Sequence, residues 1–214
     1  MDLAKIFNAG LSYQGYRELV DNLVAENKTT GNNHSTELVN FTKLNVQRMN
    51  RIDKTVFLSE QELAEVGSNT QNFKWLLIGD AWCGDCAQII PLIHKVAEAT
   101  KGKVQLRIVS RDAFPELIGE FTTNGAKSIP KLIVLDNDTF GMVITTWGPR
   151  PESAQEIMLN WKANKNSITW DDFEKSLHLW YTKDKGATTI KELLNVLKIS
   201  QKLHQRNEAN LPLQ

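Results

Sequence analysis

Charge of one sign is what this sequence has none of to spare. Its 25 Lys and Arg stand against 25 Asp and Glu, a formal charge of zero at neutral pH. A field that would gather nucleic acid or an anionic membrane is therefore not expected. No apolar run approaches the roughly 18 residues of a membrane span. The opening MDLAKIFNAGLSYQGYREL lacks the basic start and apolar centre of a secretory signal. The expected compartment is cytoplasmic. Cysteine is scarce too, with two in 214 residues. That excludes a disulfide framework and, in a reducing cytosol, turns attention to metal or redox chemistry. Repeats and low-complexity tracts are absent. What is present in quantity, 41% apolar and 23% charged residues, is ordinary for a globular chain.

Hydrophobic periodicity sorts the chain into helices and strands. SYQGYRELVDNLVAEN reads as a helix with Tyr16, Leu19, Val20, Leu23 and Val24 on one face. After a polar turn at Gly31, STELVNFTKLNVQRMNRID reads as a second, with Leu38, Phe41, Leu44 and Met49 on one side. Ser59 and Glu62 form a capping box for a short third helix. Then strand and helix alternate. FKWLLIG (73–79) is a strand buried on both faces, CAQIIPLIHKVAEAT a helix, and KVQLRIVS a half-buried strand. Strands 73–79 and 104–109 should pair in parallel across the helix between them. DAFPELIGEFTTNG should be helical to near Gly125, and KLIVLD and GMVITTW should form a hairpin through NDTF. GPRPESAQEIMLNWKANK opens a helix with proline. Two more helices should follow, capped by Thr169 with Asp172 and by Thr189 with Glu192, and broken apart at Gly186. Trp161, Trp170 and Trp180 should seal this end to the core. The tail after about residue 203 should fray.

GDAWCGDCAQIIP, residues 79–91, holds both cysteines. Cys83 ends a strand-to-helix turn. A helix N-terminus offers partial positive charge and unpaired amide donors, which stabilise a thiolate. Thiolate is the form that attacks disulfides. Cys86, one turn on, is placed to resolve a mixed disulfide, with Gly84 easing the turn between them. Two core thiols or half a zinc site are the alternatives. Zinc needs further ligands, and His94, His34, His178 and His204 are scattered. An iron–sulfur cluster bridging two subunits is a further alternative with little in the sequence to support it; such clusters generally use four protein ligands.

Trp82-Cys83-Gly84-Asp85-Cys86 resembles the active-site loop of the thioredoxin superfamily. Pro91 matches the proline that kinks that family's active-site helix. Ser128-Ile129-Pro130 before KLIVL resembles its cis-proline loop, and Gly148 a glycine near its substrate groove. These features keep the family's order over roughly 55–165. The resemblance implies a thioredoxin-like three-layer α/β fold with a central mixed sheet, carried in one domain over 1–214. The core spans about 55–166, with helical additions over 1–54 and 167–214. It implies reduction of protein disulfides, with Cys83 as nucleophile and Cys86 as resolving thiol. Trp82, Ile129, Pro130 and Gly148 would form the substrate face. Disulfide-containing client proteins and an external reductant would be the partners, with no organic cofactor or metal. A redox-inert adaptor using the same groove and a glutathione-linked, glutaredoxin-like enzyme are the rival readings.

Two departures stand out. The family's buried aspartate, six positions before the first cysteine, is Leu77 here. The second residue between the cysteines is Asp85, as in thioredoxin-like reductases of narrow specificity. Asp80 and Asp85 are the expected modulators of the thiols. At ~7 Å in a partly wet site, Asp85 should repel the Cys83 thiolate by about 0.6–1.2 kcal/mol. Arg48, Arg51 and Lys54, at the end of the second helix, are expected on a solvated face or offsetting these two carboxylates.

Overall fold

The computed structural model describes residues 1–139 and 141–209, with the backbone alone over 207–209. At its centre lies β1 (Phe73–Ile78), buried at every position but Lys74. It pairs in parallel with β2 (Val104–Val109), Phe73 opposite Val104 and Ile78 opposite Val109. On its other edge it pairs antiparallel with β3 (Lys131–Asp136), which pairs antiparallel with β4 (Val143–Trp147). The sheet order is therefore β2-β1-β3-β4, a mixed sheet of thioredoxin-like α/β design. β3 is buried throughout, as a strand covered on both faces must be.

Between β1 and β2 runs α5 (Gly84–Ala99). Ile89, Ile90 and Ile93 on it are fully buried. Pro91 sits inside this helix, where it has no amide to give the carbonyl of Ala87.

Three helices, not two, precede the Ser59 capping box: α1 (Leu3–Ala9), α2 (Tyr13–Ala25) and α3 (Thr36–Thr55). The faces also differ from expectation. Leu19 and Leu44 are exposed, and α3 buries Val39, Thr42, Asn45, Met49 and Ile52. The reason is hydrogen bonding. Asn45 Nδ2 donates to the Ala81 carbonyl at 2.7 Å, and the Thr42 and Thr29 hydroxyls lie 2.5 Å apart. Satisfied polar groups are inexpensive to bury. The capping box itself opens α4 (Glu60–Gly67).

α6 (Pro115–Glu120) stops short of Gly125: Phe121 has left the helical region at φ −106° and ψ 41°, and Asn124 and Gly125 then take positive φ in a tight turn bridged by Thr123 and Ala126. After β3 the Asp136 carboxylate accepts the amides of Asp138 and Thr139. Phe140 of the expected NDTF hairpin lies outside the described residues.

α7 (Glu152–Ala163), α8 (Trp170–Asp184) and α9 (Ala187–Ala209) complete the chain. Thr169 caps α8. Thr189 does not cap α9, since it lies within that helix and is buried. Asp184 accepts the Thr188 amide instead. Glu192 is drawn sideways, accepting Trp147 Nε1 at 2.7 Å and the Glu152 amide at 2.8 Å. Helix α9 continues past residue 203, where fraying was expected, to Ala209; residues 210–214 lie outside the described residues. His204 reaches back to Asp136, with Nδ1 2.5 Å from Oδ2. Of the three tryptophans, Trp161 and Trp180 pack on the core, while Trp170 is 49% exposed. One continuous apolar core includes Tyr16 and Met49 from the N-terminal helices and Leu193 and Leu197 from α9. No helix of the described residues is long and apolar enough to cross a membrane.

Candidate functional site

Cys83 is the N-cap of α5, with φ −81° and ψ 121°, and it is partly exposed. Cys86, one turn inside, is fully buried. Both are free thiols. Gly79 backs Cys86 closely: a Cβ there would lie 3.2 Å from Cys86 Sγ and 2.9 Å from Ile90 Cδ1. Burial and the adjoining Cys83 sulfur push the Cys86 thiol well above its ordinary range. Gly84 takes no positive φ, so its value is not backbone freedom. A Cβ there would lie 3.2 Å from His178 Cε1 and 3.5 Å from Arg48 Nη1. The missing side chain leaves room for both.

Cys83 Sγ lies 3.6 Å from the Ile129 carbonyl, and the Ile129–Pro130 peptide is cis. Gly148 has φ +104°, and a Cβ on it would stand 2.5 Å from the Pro130 carbonyl oxygen. Only glycine fits there. The next peptide, Gly148–Pro149, is cis as well. Trp82 stands beside the dithiol with the Arg111 guanidinium 4.7 Å above its ring. The structure thus gathers Trp82, Cys83, Cys86, Ile129, Pro130 and Gly148 at one end of the sheet, past the C-termini of β1 and β4 and the N-terminus of β3.

A match to the thioredoxin family model covers residues 31–167. The chain belongs to the thioredoxin family. Among curated thioredoxins, that of Rickettsia felis is 32% identical over 56 residues, which is 26% of this chain and 50% of the relative. That of Porphyra purpurea is 29% identical over 79 residues, 37% of this chain and 69% of the relative. The chain thus spans half the length of the first. A crystal structure of an HIV epitope-scaffold shares the fold at TM-score 0.50 and 17% identity, covering 90% of this chain and 99% of that one.

Within this thioredoxin frame the carboxylates depart from expectation. Asp85 is not a partly wet charge facing Cys83. It is 7% exposed, with Oδ2 2.5 Å from Arg150 Nη2 and Oδ1 accepting the Tyr181 hydroxyl at 2.8 Å. Burial pushes its pKa up, and Arg150 and Tyr181 pull against that. The expected net repulsion on Cys83 is therefore opposed by Arg150, which feels both Asp85 and Cys83. Of the expected basic cluster, Arg48 acts on Asp85 and is held by Asn45 Oδ1 at 2.7 Å. Arg51 instead donates to Gln88 Oε1 at 3.1 Å, and Lys54 is exposed.

Asp80 is wholly buried. Its Oδ2 accepts the Arg111 amide at 3.2 Å, while Oδ1 has no hydrogen-bond partner. Burial raises its pKa, partly offset by the Ser110 and Thr30 hydroxyls. The Tyr16 hydroxyl of α2 is also buried without a partner, and its electrostatic neighbours include Cys86, Asp80 and Cys83.

Sequence reasoning gave Arg150, Tyr181, Tyr16 and His178 no role at this site. Arg150 carried a signal, because it follows Gly148, already assigned to the groove. Tyr181 meets Asp85 from 96 residues away and carried none.

Proposed function

We propose that the chain is a thiol–disulfide oxidoreductase that reduces protein disulfides through Cys83 and Cys86. The observation that carries this reading is the asymmetry of the pair. One sulfur is partly exposed at a helix N-terminus, and the other is buried behind it with its thiol held protonated.

The Cys83 thiolate attacks one sulfur of a client disulfide. That S–S bond breaks, and the other client sulfur leaves as a thiolate. Cys86 then loses its proton and attacks the Cys83 sulfur. The client's second sulfur departs, and a Cys83–Cys86 disulfide remains. Two electrons have passed to the client, and an external dithiol returns them. Asp80, a buried carboxylate near Cys86 with its Oδ1 left without a hydrogen bond, is suited to accept the Cys86 proton; Leu77 cannot. The Ile129 backbone beside Cys83 and the rim residue Trp82 provide an edge for an extended client segment.

Capture tests the division of labour. Cys86→Ser should accumulate mixed disulfides between Cys83 and clients, visible on non-reducing gels and released by a small thiol. Cys83→Ser should capture almost none. The reverse pattern would exchange the two roles.

A further inference from the structure

Beside Cys83 lies a cavity of about 290 Å³ to which both helical additions contribute. Leu38 and Phe41 of α3 form one wall; Trp170, Phe173 and Leu177 of α8 form the other. Cys83 and Gly84 line it between them, whereas Ile129 and Pro130 do not. The cavity therefore adjoins the cis-proline edge, sharing Trp82 and Cys83 with it but not Ile129 or Pro130. We propose that it is a specificity pocket for an uncharged apolar side chain, aromatic by preference, that neighbours the half-cystine of a client protein. The proposal rests on the reductase reading and deepens it.

Three observations choose this occupant. The first is size. At about 290 Å³ the cavity stands at the bottom of the roughly 300–1,000 Å³ range of small-molecule sites, with room for one large side chain. The second is charge. Arg150 is tied to Asp85, Arg48 and Glu174 oppose each other, and His178 is neutral at neutral pH, its pKa lowered to about 4 by burial and by Arg48. These charges sum to zero, so the lining does not favour a charged thiol such as glutathione. The third is an aromatic wall left half covered. The Trp170 ring packs 5.0 Å from both Trp161 and Phe173, yet Trp170 remains 49% exposed. An apolar ring sliding against it would bury that surface, and the bond to Cys83 would tether it there.

The test uses the full chain and disulfide-linked dimers of one short peptide, with Phe or Ala next to the cysteine. The parent should reduce the Phe peptide with a kcat/KM about tenfold above the Ala peptide. Phe41→Ala, and independently Trp170→Ala, should collapse that ratio toward one. Equal rates for both peptides in the parent, or a ratio unmoved by the variants, would overturn the pocket. So would glutathione disulfide turning over as fast as the Phe peptide with the same sensitivity to Phe41→Ala, which would assign the cavity to a small thiol. Binding separates this proposal from the reductase reading. Peptides with Ser in place of Cys, titrated against tryptophan fluorescence, should show a similar Phe preference that Phe41→Ala removes. If that preference is present while neither disulfide is reduced, the pocket stands and the reductase reading falls. Equal Kd values would overturn the pocket whatever the rates.

Discussion

Asp85 takes its charge into the protein with two partners, and each can be removed singly. Tyr181→Phe deletes one hydrogen bond and should cost about 0.5–1.5 kcal/mol in urea denaturation. Arg150→Met strands a buried carboxylate and should cost more, about 3–5 kcal/mol. Adding Asp85→Asn to Arg150→Met should recover much of that loss. Arg150→Met should also slow alkylation of Cys83 by iodoacetamide near neutral pH, because it removes the cation that offsets Asp85. An unchanged rate would place Arg150 in structure alone. His178 supplies a pH signature. Its folded pKa is about 4 against 6.5 for the free side chain. Between those values the unfolded chain binds a proton that the folded chain does not, so stability falls as pH drops from 6.5 toward 4. Thermal midpoints of His178→Gln should lose less over that window than those of the parent. At this scale the cysteines were legible because their chemistry is local: three positions apart, at a strand-to-helix turn. Arg150 and Tyr181 were not, because the partners of Asp85 are chosen by tertiary packing.

Helices were legible where their end signals are local. The Ser59–Glu62 capping box and the Thr169 cap both form as their residues suggest. The same logic misplaces the start of α9. Lys185 and Gly186 both take positive φ there, and Glu192, which has the spacing of a capping partner, bonds to Trp147 and Glu152. Helix α1, at seven residues, is too short for its periodicity to register. The buried face of α3 was displaced because apolarity was read as the only ticket to the interior, whereas Thr42 and Asn45 enter with their hydrogen bonds made. Gly186 joins α8 to α9 at φ +87°, where a Cβ would lie 2.9 Å from both Leu92 methyl carbons. Gly186→Ala should therefore destabilise the protein by about 1–2 kcal/mol from backbone conformation alone. Urea midpoints measure it, and an unchanged midpoint would mean that the α8–α9 joint relaxes freely.

As a whole molecule, the chain sets its mixed sheet among helices contributed from both ends of the sequence. Leu193, Leu194 and Leu197 of α9 are buried in the common core, and each such burial contributes about 1.5–3 kcal/mol. Asn45 holds the Ala81 carbonyl just ahead of Trp82, and Tyr181 holds Asp85 between the two cysteines. We propose that the additions and the core fold as one unit. A fragment cut to 55–166 should be destabilised and aggregate, and a soluble fragment of equal stability and activity would refute that. The parallel pairing of β1 with β2 and the pairing of β3 with β4 were legible in the strand pattern; the place of β3 beside β1 and the packing of the additions came only with the structure, since amphipathic faces do not name their partners. The central claim is dithiol reduction led by Cys83. Its most direct test is reduction of a model protein disulfide, with a regenerating reductant, by the parent and by Cys83→Ser. The account predicts that Cys83→Ser falls to the rate of the reductant alone; equal rates in the two proteins would contradict it and leave a thioredoxin fold that only binds.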